Sequence, residues 1–142
     1  MVYMEKLKSY KHKVQYYETD AMAIVHHSNY IRWFEEARLD YLEQIGLPYD
    51  EIERRQIMIP VLGASCQYRQ AVKFGESVWI DTEITSFNGL KFSVAYKVYD
   101  ESRTVLHAEG TTEHCFLDAQ FRPIRLKKVA PDIYEKFSAC LN

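Results

Sequence analysis

The stretch YYETDAMAIVHHSNYIRWFEEARLDYL, Tyr16 to Leu42, sets an acid, Asp20, in a short apolar run ahead of two adjacent histidines, His26 and His27. Helix signals begin directly afterwards, with Ser28 or Asn29 as N-cap. A helix start presents unsatisfied N–H groups and a partial positive charge. Such donors can hold a carbonyl oxygen and the oxyanion it becomes, each typically worth ~3 kcal/mol. A carboxylate facing them can attack the carbonyl carbon, or draw a proton from a water that does. The donors here would be backbone N–H groups around His27 and Ser28. Asp20 also has a plain reading, as a surface carboxylate or a cap in a connector. His27 has one too, donating to a neighbouring carbonyl, and Ser28 and Asn29 are first of all capping residues.

Other chemistries find less support. The five glycines, at 46, 63, 75, 89 and 110, form no phosphate-binding pattern. Gly63-Ala-Ser-Cys-Gln lacks the second glycine of a nucleophile elbow. His26 and His27 are not spaced as zinc ligands, and His107 and His114 join them only by a tertiary coincidence, so no metal is expected. Cys66, Cys115 and Cys140 contain no Cys-x-x-Cys pair and predict neither a disulfide framework nor a redox centre. Cys66 falls mid-strand with no partner histidine, a poor nucleophile.

The elements that must position these residues follow from periodicity. Residues 10–17 read as a first strand and the main helix runs to Ile45, with Gly46 as its stop. Tyr30, Ile31, Trp33, Phe34, Ala37, Tyr41, Leu42 and Ile45 cover about half its circumference, a face wide enough to be wrapped by a curved sheet. Arg38 projects into that face and must snorkel or find an anion, with Glu35 the nearest. A short helix over Tyr49–Arg55 precedes strands at Ile57–Arg69, Ser77–Phe87, Leu90–Tyr99 and Thr104–Leu117, with turns at Lys73–Glu76 and Asp100–Arg103. Asn88-Gly89 predicts a two-residue hairpin with both turn positions at positive φ. Ile133, Phe137 and Leu141, after Pro131, predict a C-terminal helix. The class is α+β, one long helix embraced by an antiparallel sheet of about five strands.

At 142 residues the chain is sized for one domain, 1–142, with 47% apolar residues and a net charge of −2. That balance gives no basic field for nucleic acid or anionic lipid. The lysines at 6, 8, 11 and 13 and at 127 and 128 read as solvated surface. The start, MVYMEKLKSYKHK, has no apolar stretch behind it and is not a signal peptide; no run approaches the ~18 residues of a membrane span. These features predict a cytoplasmic protein.

The segment from Tyr16 to Leu47 resembles the signature of the 4-hydroxybenzoyl-CoA thioesterase family of hotdog-fold enzymes, which includes acyl-CoA thioesterases associated with the Tol–Pal system. Tyr17, Asp20, His27, Asn29-Tyr30 and Phe34-Glu35-Glu36-Ala37-Arg38 stand at the family's motif positions. Gln67–Val78, QYRQAVKFGESV, resembles its Tyr-x-x-Pro-Ala segment, with Gln70 replacing the proline. The strand order matches over essentially the whole chain. The resemblance implies a hotdog fold and hydrolysis of an acyl-CoA thioester without metal or other cofactor. It makes Asp20 nucleophile or general base and the His27 region the carbonyl-binding helix start, with the His27 ring a possible acid or substrate contact. Tyr17, His26, Ser28 and Asn29 would line the substrate, and Arg69, Lys73 and Lys91 are candidates for the phosphates of coenzyme A. It further implies a homodimer or homotetramer, subunits paired edge to edge. Where the family commonly has glycines after the aspartate, this chain has Met22 and Ala23, which leaves less room for close backbone approach. The alternatives are a non-catalytic acyl-CoA sensor or carrier, and a hotdog dehydratase or hydratase; neither gives Asp20 its place facing a thioester carbonyl.

Overall fold

The structure, a computed structural model, describes residues 7–141. Lys6 and the start of the lysine-rich segment lie outside the described residues. In chain order it has β1 (Tyr10–Lys13), a 3-10 turn (Tyr16–Glu18), α1 (Ser28–Gln44), α2 (Tyr49–Arg54), β2 (Val61–Tyr68), β3 (Ser77–Phe87), β4 (Lys91–Asp100), β5 (Leu106–Cys115), α3 (Leu126–Val129) and α4 (Pro131–Ser138). The strands form one antiparallel sheet in the order β1-β3-β4-β5-β2.

Helix α1 buries Tyr30, Trp33, Phe34, Ala37, Tyr41 and Leu42. Ile31 and Ile45, on the edges of that stripe, are partly buried against the same core. The facing strands alternate as a half-buried sheet should: Phe92, Val94, Tyr96 and Val98 of β4 point inward. At the helix end Leu47 N–H donates to Leu42 O at 2.8 Å and Gly46 N–H to Glu43 O at 3.1 Å. Gly46 has φ +84°, the left-handed residue such a close requires.

Several boundaries differ from the sequence expectation, each for a local reason. The first strand stops at Lys13 because the Glu18 carboxylate accepts the Gln15 N–H at 2.8 Å and pulls the chain into a turn. The second strand starts at Val61, since Pro60 has no N–H for a ladder; only a Met58–Leu117 bridge precedes it. β5 starts at Leu106, because the Thr104 and Val105 N–H groups donate to the Asp100 carboxylate at 2.8 and 2.9 Å. The β3–β4 turn is shifted by one residue from the expected Asn88-Gly89: Asn88 N–H donates to Lys91 O at 3.1 Å, which leaves Gly89 and Leu90 at the tip. Phe87 pairs with Phe92, only Gly89 has positive φ, and the Asn88 side-chain oxygen accepts the Leu90 and Lys91 N–H groups. Asn88 thus acts through its side chain rather than through a left-handed backbone.

Arg38 finds a phenol instead of an anion. Its Nη1 donates to Tyr96 Oη at 3.1 Å, and among the described residues it has no ion pair. The Tyr96 hydroxyl lies 2.7 Å from Thr112 Oγ1, which lies 2.7 Å from His114 Nε2, and His114 Nδ1 lies 3.2 Å from Pro60 O. A neutral His114 protonated on Nδ1 lets every donor in this chain meet an acceptor, all pointing from Arg38 toward Pro60. Burial, and then the nearby Arg38 charge, lower the His114 pKa from 6.5 to about 4. Between those values the unfolded chain binds a proton that the folded one refuses. The resulting stability is fully present above pH 6.5 and is lost as pH falls toward 4. The loss should be on the order of 3 kcal/mol. Urea denaturation across pH 4–7 checks this: His114→Gln should flatten the slope, and an equally steep curve in that variant would rule the assignment out.

Candidate active site

Asp20 sits in a small closed loop between the 3-10 turn and α1. Thr19 and Val25 form an antiparallel bridge, and Asp20 N–H donates to Ile24 O at 2.8 Å. Ile24 in turn bridges Lys73, and Val25 N–H donates to Val72 O, so the loop is fastened to the turn before β3. The Asp20 Oδ1 accepts the Met22 N–H at 2.8 Å, the only hydrogen bond to this carboxylate among the described residues. Its other oxygen is left for a ligand. Ala23 follows with φ +64°. The backbone therefore keeps a left-handed step suited to glycine although the residue is alanine.

The helix start differs from the capping expectation. His27, itself in helical conformation, occupies the cap position and no side chain caps the helix there. Ser28 is exposed; its N–H meets His26 Nδ1 at 3.2 Å and its Oγ the same atom at 2.8 Å. Asn29 is buried and donates to Glu18 O at 2.9 Å and His26 O at 3.3 Å, tying helix to loop. Asn29 N–H and Tyr30 N–H are taken by His26 O and His27 O. Among the described residues the His27 N–H has no acceptor, which makes it the donor left open at this helix start.

Asp20 and His27 open onto one groove of ≈ 290 Å³, walled also by Met22, Tyr30, Tyr68 and Arg69. Tyr68 Oη lies 3.5 Å from His27 O and its ring meets that of Tyr30 edge-on at 5.1 Å. Burial pushes the Tyr30 pKa up to about 12 and raises that of Tyr68, so both present neutral hydroxyls. Arg69 is exposed at the wall and paired with Glu109 at 3.2 Å. Lys73 borders the loop through its backbone, with its side chain exposed. Tyr17 is 79% exposed and outside the groove lining. His26 is exposed, with its ring tilted at 30° to that of His27 and 4.1 Å from it. Lys91 pairs with Cys115 at the end of the sheet opposite Tyr68, away from this groove. Burial raises the Cys66 thiol pKa, keeping it protonated. Among the described residues no three His, Cys, Asp or Glu side chains converge on a point where a metal could sit. No helix among them is long and apolar enough to cross a membrane.

Tyr30, Tyr68 and Gln70 were not singled out from sequence as lining. Tyr68 and Gln70 stand in the Gln67–Val78 segment whose resemblance was noted, which is the signal that could have marked them.

A family model for the thioesterase-like superfamily matches residues 14–137. The chain belongs to the thioesterase-like superfamily. Its fold is the hotdog fold, as in the solved relatives of this superfamily. The DHNA-CoA thioesterase from Staphylococcus aureus is 32% identical, with a TM-score of 0.89 over 93% of this chain and 89% of that one. The hypothetical protein TT1821 from Thermus thermophilus is 36% identical, with a TM-score of 0.88 over 94% and 99%. YneP of Bacillus subtilis, provisionally named an acyl-CoA thioesterase, is 33% identical over 128 residues, 87% of this chain and 92% of its own. This superfamily member thus matches its relatives across nearly their whole length, and the match includes both the Asp20 loop and the start of α1.

Proposed function

We propose that this chain, a single domain over 1–142, is an acyl-CoA thioesterase of the 4-hydroxybenzoyl-CoA thioesterase type. The observation that carries this reading is one groove shared by a carboxylate with a free oxygen and a helix-start N–H with no acceptor. The thioester carbonyl rests with its oxygen toward the His27 N–H. Asp20 either attacks the carbonyl carbon or takes a proton from a water that does so. The negative charge then on oxygen is met by that N–H and by the partial positive charge of α1. As the tetrahedral species collapses, the C–S bond breaks; after attack by water the acyl group departs as the free acid, and after attack by Asp20 it stays on that carboxylate as a mixed anhydride, which a water then cleaves to the free acid and the restored carboxylate. Coenzyme A leaves as the thiolate, which takes up a proton. The His27 ring, at the groove wall, is positioned to supply one. No metal or redox cofactor is needed for these steps. Arg69, at the groove wall, and Lys73, beside the Asp20 loop, are the cations proposed to meet the phosphates of coenzyme A. The names of the relatives support a coenzyme A thioester as substrate, and the three free thiols suit the cytoplasm.

The active form is proposed to be a homodimer, or a pair of them. β2 is an eight-residue edge strand with Val61, Leu62 and Tyr68 half exposed. An uncovered edge of that length is a template for a second copy. Antiparallel pairing of two such edges brings the Val61 end of one beside the Tyr68 end of the other, completing the groove. Sedimentation showing only a 16.8 kDa species would remove this part of the reading.

The function is tested by thiol release from short-chain, long-chain and aromatic acyl-CoAs. Turnover of one class identifies the acyl group. Tight binding with no turnover across the panel would replace the enzyme by an acyl-CoA sensor or carrier.

A further inference from the structure

Glu18 stands two residues before Asp20 and is 4% exposed. It does not line the groove, so it can touch no substrate there. Three donors converge on its two carboxylate oxygens. Gln15 N–H and His12 Nε2 each lie 2.8 Å from Oε1, and Trp33 Nε1 donates to Oε2 at 2.6 Å. Trp33 is fully buried in α1, one turn beyond the helix start. His12 belongs to β1, and its other nitrogen faces Glu36 of α1 at 3.1 Å. The backbone oxygen of Glu18 is equally engaged, accepting His26 N–H at 2.8 Å and Asn29 Nδ2 at 2.9 Å. Burial alone would raise the pKa of this carboxyl; the hydrogen bonds from Gln15, His12 and Trp33 outweigh it and hold the group below the usual range.

One residue therefore joins the sheet edge, the 3-10 turn, both ends of the Asp20 loop and the first turns of α1. The Thr19–Val25 bridge and the Asp20–Ile24 bond close the loop, Ile24 and Val25 fasten its far side to the turn before β3, and the Glu18 oxygen with His26 N–H forms its base on the side of α1. We propose that Glu18 is a positioning residue for the reaction, its buried carboxylate fixing the Asp20 carboxylate in distance and direction against the His27 N–H at the start of α1. The kinetic side of this inference rests on the thioesterase reading; the structural side does not.

Gln at position 18 keeps the shape and loses the match. A carboxylate only accepts, whereas an amide has one accepting oxygen and one donating NH2. With its oxygen toward Gln15 and His12, the amide turns its NH2 onto the Trp33 N–H; reversed, it turns it onto the Gln15 N–H. Either way a buried donor faces a donor, and the clamp must loosen. Misplacement of a catalytic group by about 1 Å costs on the order of 100-fold.

The test compares parent, Glu18→Gln and Trp33→Phe, which removes one donor together with part of the buried indole and retains an aromatic ring. Folding is checked by circular dichroism. Hydrolysis gives kcat and KM per folded protein, and hydrogen exchange reports the amides of residues 19–27. In Glu18→Gln, kcat should fall roughly 10- to 100-fold with KM within about twofold. Exchange of the 19–27 amides should rise about tenfold while β4 and β5 stay protected. Trp33→Phe should move both readouts the same way and by less. Unchanged kcat and unchanged loop exchange in either folded variant would overturn the proposal. So would global unfolding of both, which would make the clamp a support of the whole fold. A parent protein that hydrolyses no acyl-CoA rejects the thioesterase reading instead, and the exchange measurement still decides the role of Glu18.

Discussion

Asp20→Asn is expected to lower kcat for acyl-CoA hydrolysis by about 10²–10⁴-fold, the range over which a positioned acid or base contributes. The amide is nearly isosteric and retains an oxygen to accept the Met22 N–H, so the turn that shapes the loop survives the substitution. What disappears is the charge and basicity needed to take a proton from water or to bond to the carbonyl carbon. KM should change little, because the open His27 N–H and the walls of the groove still receive the thioester. Initial rates with matched circular-dichroism spectra measure the effect. A kcat within about fivefold of the parent would remove Asp20 from the chemistry.

Gly110→Ala should be the most damaging small substitution for stability. Gly110 lies in β5 opposite Cys66 of β2 and Tyr96 of β4. A Cβ there would stand 2.2 Å from Ser65 O and 2.7 Å from Phe34 Cε2. Neither neighbour can retreat at small cost. The Ser65 carbonyl is backbone of the paired strand, so moving it breaks the β2–β5 ladder. Phe34 is fully buried and stacked on Tyr96 at 4.3 Å, so moving it shifts α1 on the sheet. Such overpacking costs about 3 kcal/mol, which at this chain length lowers the melting temperature by roughly 10 °C. Thermal denaturation measures it; a fall of less than about 3 °C would show that the helix yields more readily than its packing implies.

These two positions differ in how far the sequence announced them. Asp20 stands out in the sequence because an acid ahead of a helix start has a chemical use, and in the structure it lies in the loop that leads to that helix start. Gly110 was visible only as a glycine inside a strand pattern; what presses on it comes from α1 and β2, far away in the chain. The same division runs through the fold. The stripe on α1 and the alternation in β4 were legible because burial imposes their periods directly. The ends of β1, β2 and β5 were not, since a carboxylate or a proline captured the backbone locally, against the apolar pattern. Ser28 and Asn29 are good capping residues by type, yet the helix takes His27 at that position while Asn29 turns inward to hold Glu18. Glu18 itself, in a run of polar and aromatic residues, looks like a surface acid. Only the tertiary approach of Trp33 and His12 makes it a buried one. The aromatic walls of the groove, Tyr30 and Tyr68, were hidden for a related reason, as 14% of the chain is aromatic and most of it serves the core.

The left-handed step at Ala23 bears on heat tolerance. An L-residue in that region is held about 1–2 kcal/mol above glycine, offset in part by glycine's greater freedom in the unfolded chain. The chain thus carries an unused margin of resistance to heating, and it lies three residues from the carboxylate proposed to act as nucleophile or base. One methyl group, exposed and outside the core, separates this molecule from a firmer version of itself, so robustness and reactivity are set within the same few residues.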